Sequence, residues 1–599
     1  MSNTQAFDIG SLHAGYAAGW PVSEMIDLVF ARLEEAADPG IFIEVADRAA
    51  LLEAASALGP FDAVAKPLWG IPFAVKDNID VAGLPTTAAC PDYAYLPRQD
   101  ATVVRLLKDA GAIVIGKTNL DQFATGLVGV RSPYPIPRNA IDPELVPGGS
   151  SSGSAVATAR GIVSFALGTD TAGSGRIPAG LNNIVGLKPS VGALSTTGVV
   201  PACRTLDCVS IFALTVEDAW SVFEIAAKPD ADDPYSRDVG RSPASTPPAL
   251  TIGVPAKDDR QFFGDNAMES AYEKAIATLS ALGHRIVEVP FDDFYATARL
   301  LYEGAWVAER YAAIKDFFDQ HPQSLHPVTR QIYGAAKSLT AADAFSGFYA
   351  LQALKRKVAP IIASVDLFCV PTAPRHFTVA ELEAEPIREN SRLGTYTNFV
   401  NLLDMCGIAV PTGKREDGLP ASVTLLAPFG KDALVAGLAQ TLHRESGVTL
   451  GATGLPLPPL KPDTSPASEE GMIDLVVVGA HLSGLPLNHQ LQALKARFLR
   501  AAQTAPDYKL FALPGTVPPK PGMLRVDGSE GASIDVEVWQ LTPEAFGTFV
   551  AAIPAPLGIG TISLADGSQC KGFLVESVAL TGAADITAYG GWRHYLKSA

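Results

Sequence analysis

Two serines and one lysine carry the chemistry open to this sequence. Ser150 lies in the run GGSSSG (148–153), Ser174 lies in GTDTAGSG (168–175), and Lys76 follows the apolar run IPFAV. A serine hydroxyl is a weak nucleophile until a neighbouring group takes its proton. Histidine is the usual base, yet none occurs between His13 and His284, so the motif region has no local one. A lysine can serve if its pKa falls from about 10.4 toward roughly 7–8, which burial in an apolar sheet can achieve. Lys76 stands where such burial is expected. Glycines around both serines remove the side chains that would keep backbone N–H groups away from a small substrate.

Two rival readings of the loops fail on their own requirements. GSSSG (149–153) formally matches a G-x-S-x-G nucleophile elbow, but that elbow needs a strand immediately before it and DPELVPGG is a poor strand. A phosphate-cradling loop would need G-x-x-x-x-G-K-[ST], which does not occur.

The elements that must hold these residues alternate. Strands are expected at 71–75, 112–116, 162–167, 250–254, 284–290, 367–371 and 422–428. Helices are expected at 22–33 (with Ser23 as N-cap), 47–58, after Asp100 as a cap, and at 154–160. Further helices are expected at 266–282, 291–318, 398–407 and 432–443. Such alternation argues an α/β sheet covered by helices. From Gly451 the composition changes, and LPLPPLKPDTSPASEEG reads as a semi-rigid linker. A second alternation follows, with strands at 475–479 and 533–541 and a helix over 488–502.

At 599 residues the chain exceeds one compact core, and 48% hydrophobic with 18% charged residues is a globular composition. Net charge is 46 minus 63, or −17, which disfavours nucleic acid as a partner. No apolar run approaches the roughly 18 residues of a membrane span, and no signal peptide is visible. Six cysteines without CxxC spacing are expected to be reduced and mostly buried in a cytoplasmic protein. Neither a metal nor a cofactor is expected.

Lys76 in GIPFAVKDN, GGSS at 148–151 and GTDTAGSGRIPA at 168–179, in that order, resemble the amidase signature family. The resemblance spans roughly residues 20–450. It implies an amidase-signature fold, a large mixed β-sheet covered by helices, here followed by a smaller C-terminal α+β domain. It further implies Ser174 as nucleophile, Ser150 as bridging serine behind a cis peptide bond, and Lys76 as base. Thr171, Ala172, Gly173 and Ser174 would offer backbone N–H groups to the oxyanion. Asp170 and Arg176 would hold that loop, while Ser151 and Ser152 would bond within their own. The stretch KTNLDQFATGLVG (117–129), with Gly126, would line the substrate pocket. The expected division is an N-terminal helical region at 1–60 that serves packing or dimerisation, a catalytic domain at 61–455, a linker at 456–470 and a C-terminal domain at 471–599. That last domain resembles a γ-glutamyl-cyclotransferase-like fold.

Within the family, LYEGAWVAERY (301–311) resembles the stretch with which allophanate hydrolases hold the substrate carboxylate, through Tyr302 and Arg310. Eight residues of helix turn through about 800°, so both side chains can lean to one pocket, and a guanidinium fork suits a planar carboxylate. A cation–π contact with Trp306 or an ion pair with Glu309 is the competing role for Arg310. The implied reaction is hydrolysis of allophanate with release of ammonia and carbon dioxide. Implied with it are a homodimer and a functional pairing with a biotin-dependent urea carboxylase. His481, after the strand at 475–479, is a candidate to assist decarboxylation, with a structural role as the alternative. A generic amidase, or the A chain of an amidotransferase, would share the same triad.

Overall fold

The computed structural model describes residues 5–240, 242–459 and 471–598. The described residues form two compact units. The first is built mainly from the chain up to 459. The second takes in Ser242–Thr251 and Gly283–Arg285 together with the residues from 471 on. Most of the expected linker, from 460 to 470, lies outside the described residues.

The first unit is an α/β body around one mixed sheet. Its strands are β1 (Phe42–Val45), β2 (Pro72–Lys76), β3 (Ile113–Thr118), β4 (Phe165–Thr169), β5 (Val185–Lys188), β6 (Val209–Ala213), β7 (Thr251–Pro255), β8 (Arg285–Val289), β9 (Leu367–Pro371), β10 (Met405–Lys414) and β11 (Pro420–Pro428). Their spatial order is β1-β3-β2-β4-β6-β5-β10-β11-β9-β7-β8. β2 runs parallel to both β3 and β4, and β4 is antiparallel to β6. Every residue of β2, β4, β5, β6 and β9 is buried, which is why these segments read as short apolar runs without alternation.

The second unit adds β12 (Ile473–Val477), β13 (Arg497–Gln503), β14 (Tyr508–Ala512), β15 (Pro521–Arg525), β16 (Asp535–Leu541), β17 (Leu557–Ser563), β18 (Gln569–Val575) and β19 (Ala584–Asp585). They form a five-stranded sheet, β13-β16-β12-β18-β17, and a three-stranded one, β15-β14-β19. Leu475, Val477, Tyr508, Val538 and Phe549 meet in its core.

Several local expectations are corrected. The helix Val22–Ala36 is entered from Pro21 without a side-chain cap, so Ser23 lies inside it. Ala101 precedes the helix Thr102–Asp109; the Asp100 carboxylate is taken instead by the Ala82 N–H and by Lys108. The expected long helix at 291–318 is three, Asp292–Glu303, Ala305–Ala313 and Lys315–Gln320, interrupted at Gly304 and Ile314. Glycine is a poor helix interior residue, costing about 1 kcal/mol relative to alanine. The expected helix at 398–407 is a run of turns closing at Asp404 (φ 55°), after which β10 pairs with β5 and β11. The helix expected over 488–502 stops at Ala493. Lys495 turns the chain (φ 56°), and Arg497–Gln503 is drawn into the ladder against β16. In both failures, pairing partners distant in sequence decided between helix and strand.

All six cysteines are free and buried. Among the described residues, no helix is long and apolar enough to cross a membrane, and no cluster of His, Cys, Asp or Glu could hold a metal ion.

Candidate active site

Parallel β2 and β4 deliver the lysine and its partners. Lys76 is the last residue of β2 and is fully buried. Its Nζ donates to Ser150 Oγ at 2.8 Å and to Thr169 Oγ1, at the end of β4, at 2.7 Å. Burial pushes the lysine pKa down from 10.5 to about 7, while attraction from Asp121, Asp207 and Asp170 works against that fall. The next buried lysine makes the contrast. Lys117 on β3 lies 3.0 Å from the Asp77 carboxylate and so has a counter-ion, whereas Lys76 bonds only hydroxyls.

The first serine loop leads into the helix Ser152–Ala159, and the Gly149–Ser150 peptide is cis. Ser151 does not bond within its own loop. It donates to the Thr169 carbonyl at 3.2 Å and accepts from the Thr169 N–H at 3.3 Å, tying the loop to the end of β4. Gly168 permits this approach, since a Cβ there would lie 2.8 Å from Ser151 Oγ. Ser152 Oγ has no partner among the described residues.

The second loop, between β4 and the helix Ile177–Leu181, is pinned from behind. Arg176 forks onto Asp170 (Nε–Oδ2 2.9 Å, Nη2–Oδ1 3.0 Å), the Gly175 N–H donates to Asp170 Oδ2, and both side chains are fully buried. Asn401 donates to the Asp170 carbonyl at 2.7 Å. Among the described residues, the backbone N–H groups of Thr171, Ala172, Gly173 and Ser174 make no hydrogen bond. Gly173 sits at φ 157°, and a Cβ there would strike Thr397. Ser174 Oγ donates to the Gly126 carbonyl at 3.4 Å, so the nucleophile candidate meets the pocket stretch, while Ser150 meets Lys76.

Beside this loop, the Asp207 carboxylate accepts from Thr171 Oγ1 and from the N–H groups of Ala202 and Cys203; burial pushes its pKa up. Arg310, on Ala305–Ala313, is buried, and its Nε and Nη1 have no partner among the described residues. Its guanidinium carbon lies 5.5 Å from the centre of the Tyr302 ring. Glu309 bonds Thr205 instead, and the Trp306 ring packs edge-on against Phe348. Although Gly304 interrupts the helix, Tyr302 and Arg310 still meet. Their helices share one apolar cluster with Leu127, Val128 and Ala172, which joins the arginine, the pocket stretch and the second serine loop.

In the second unit, His481 opens on a cavity of about 280 Å³ lined in part by Gln490, Lys520, Phe549 and Phe573. Its ring stacks on Phe573 (5.3 Å), and its Nε2 lies 2.9 Å from Gln490 Oε1. Burial lowers its pKa, with Lys520 and His489 adding to the fall.

Sequence reasoning passed over Thr169, Asp121 and Asp207. Thr169 and Asp121 stood inside the quoted motifs, but a threonine or aspartate carries no signal of its function until its partners are known.

Comparison with known proteins agrees with this geometry. A family model described as Amidase matches residues 24–436, and one described as Allophanate hydrolase C-terminal domain matches 473–597. The chain is 48% identical to a urea amidolyase of Lachancea kluyveri over 547 residues, covering 88% of this chain and 30% of that protein. It is 33% identical over 461 residues to the A chain of a glutamyl-tRNA(Gln) amidotransferase from Symbiobacterium thermophilum, covering 69% of this chain and 92% of the relative. Among solved structures, the Kluyveromyces lactis allophanate hydrolase superposes with a TM-score of 0.81 at 42% identity, over 99% of this chain and all of that one. The chain thus spans about a third of the urea amidolyases it matches. On its motifs, its sheet and these matches, the chain belongs to the amidase family, whose members hydrolyse C–N amide bonds, and carries an allophanate hydrolase C-terminal domain behind the amidase unit.

Proposed function

We propose that the chain hydrolyses allophanate through a Ser–Ser–Lys triad. The observation that carries this choice of amide is Arg310: a buried guanidinium with two unbonded N–H positions beside Tyr302 suits a planar carboxylate remote from the scissile bond. Ser174 Oγ attacks the terminal ureido carbonyl. Its proton passes by way of Ser150 and Lys76 to the leaving nitrogen, so the C–N bond breaks with release of ammonia. Neutral Lys76 can donate to Thr169 while accepting from the Ser150 hydroxyl, which fits a base whose pKa is near 7. Backbone N–H groups of Thr171 to Ser174 receive the oxyanion, donors of this kind being worth about 2.7–4 kcal/mol each. Water then cleaves the acyl-enzyme to N-carboxycarbamate, which loses carbon dioxide and yields the second ammonia.

His481, in its largely apolar cavity, is the group we assign to assist that decarboxylation. A urea carboxylase, on a separate or a longer chain, would supply the substrate; the length of the urea amidolyase relatives supports this pairing. The second reading, a generic amidase or an amidotransferase A chain, is favoured by the match to the amidotransferase relatives and disfavoured by the C-terminal domain. Ammonia release from allophanate, acetamide and glutamine, measured side by side, separates them. Preference for glutamine or acetamide over allophanate would refute the proposal.

A further inference from the structure

Asp121 has no role in the mechanism above, yet it bonds the Ser150 backbone, holds the loop that receives the Ser174 hydroxyl and bears by its charge on Lys76. Its backbone N–H donates to the Ser150 carbonyl at 3.0 Å. Its carboxylate gathers the following loop: Oδ2 accepts from the N–H groups of Val128 (3.1 Å) and Gly129 (3.0 Å), and Oδ1 accepts from that of Arg131 (2.9 Å). That loop carries Gly126, whose carbonyl receives the Ser174 hydroxyl. The packing has no slack. A Cβ on Gly149 would lie 2.1 Å from Asp121 Oδ2, and one on Gly126 2.5 Å from it.

Three carboxylates bear on Lys76, and Asp121 is the foremost of them. Asp170 is forked by Arg176, and Asp207 is bonded by Thr171 and two backbone N–H groups. Asp121 is held by backbone alone, with Arg131 and His326 as the other charged or titratable groups that feel its field.

We propose that Asp121 is the positioning residue of the amide-cleaving site, fixing Ser150 through its backbone and Ser174 through Gly126 while setting its charge on Lys76. The inference rests on the Ser–Ser–Lys reading. A carboxylate accepting three N–H bonds is a rigid hub. Because it binds both loops, a change there alters geometry and proton affinity together.

The test uses the full chain with Asp121→Asn and Asp121→Glu, ammonia release from allophanate from pH 5 to 9, and circular dichroism with thermal melts. Asn keeps the shape and removes the charge. It should lose about 10²-fold in kcat by misplacing the serines, with KM little changed. Its acid limb should also move to lower pH, because removing a negative charge disfavours protonated Lys76. Glu keeps the charge but has no room beside Gly126 and Gly149, so kcat should fall without a downward move of the limb. His326→Gln should leave the limb in place, burial having lowered the pKa of that histidine below its ordinary 6.5. An Asn variant with wild-type kcat, or one with reduced kcat and an unmoved limb, would overturn the proposal. So would failure of both variants to fold, which would make Asp121 a folding residue. A wild-type profile with no limb near pH 7 would instead sink the assignment of Lys76, on which this inference stands.

Discussion

Replacing Lys76 by methionine should abolish ammonia release and make the protein's stability, relative to wild type, greater in acid than in alkali. The amine is fully buried, and its pKa falls from 10.5 to about 7. At about 1.4 kcal/mol per unit, keeping it protonated in the folded state costs between 4 and 5 kcal/mol, to order of magnitude. Because the folded pKa lies below the unfolded one, the unfolded chain binds the proton more readily. The penalty is therefore complete below about pH 7 and is relieved as pH rises toward 10.5. By pH 9 about 2 kcal/mol should remain. Methionine carries no such penalty, but it strips a partner from Ser150 and Thr169, a loss of about 1–3 kcal/mol for each buried hydroxyl that does not vary with pH. The informative quantity is thus the change with pH. Relative to wild type, Lys76→Met should lose about 2–3 kcal/mol of stability between pH 6 and pH 9. Urea unfolding of both proteins at pH 6, 7.5 and 9 measures it. In parallel, wild-type activity should fall about tenfold per pH unit below the lysine pKa. A stability difference that stays constant across the range would refute the claim that this lysine is neutralised by burial.

Ser174→Ala should lower ammonia release at least about 10⁴-fold while circular dichroism stays unchanged, and a turnover close to wild type would remove Ser174 as nucleophile. Arg310→Ala removes the guanidinium proposed to hold the substrate carboxylate, so KM for allophanate should rise about 10²-fold while hydrolysis of an uncharged short amide is spared. Equal losses on both substrates would make the arginine structural. His481→Ala should leave the first ammonia unaffected and delay carbon dioxide and the second in a rapid time course. Superimposable traces for variant and wild type would end its catalytic assignment.

The sequence made the chemistry legible where residue type and order carry it. Lys76, Ser150 and Ser174 were singled out because three motifs in one order resemble the amidase signature, whereas a lone lysine after an apolar run or a lone serine among glycines would have signalled nothing. The short buried strands were also visible, with Leu367–Pro371 matching its expected bounds. What stayed hidden depends on partners remote in the chain. Asp100 is a plausible cap on sequence alone, and only the fold offers it Ala82 and Lys108. Apolar periodicity could not exclude a helix at 398–407 or at 497–503, because β5 and β16, which draw the following or same residues into strands, lie far away in sequence. Ser151 looked like an ordinary loop residue, and its bond to Thr169 exists only once β4 has come alongside.

The register of β2 has a use beyond stability. Phe73 faces Phe165, Ala74 faces Ala166 and Val75 faces Leu167, so Lys76 arrives beside Ser150 and Thr169. Asp77, one residue on, turns to Lys117. A slip of one position would exchange these two faces, sending a carboxylate toward the serine and the amine away from it. Such a chain could recover its sheet content and still be inert. Regained turnover after refolding therefore counts correctly registered molecules, and its shortfall against regained circular dichroism measures the misaligned fraction.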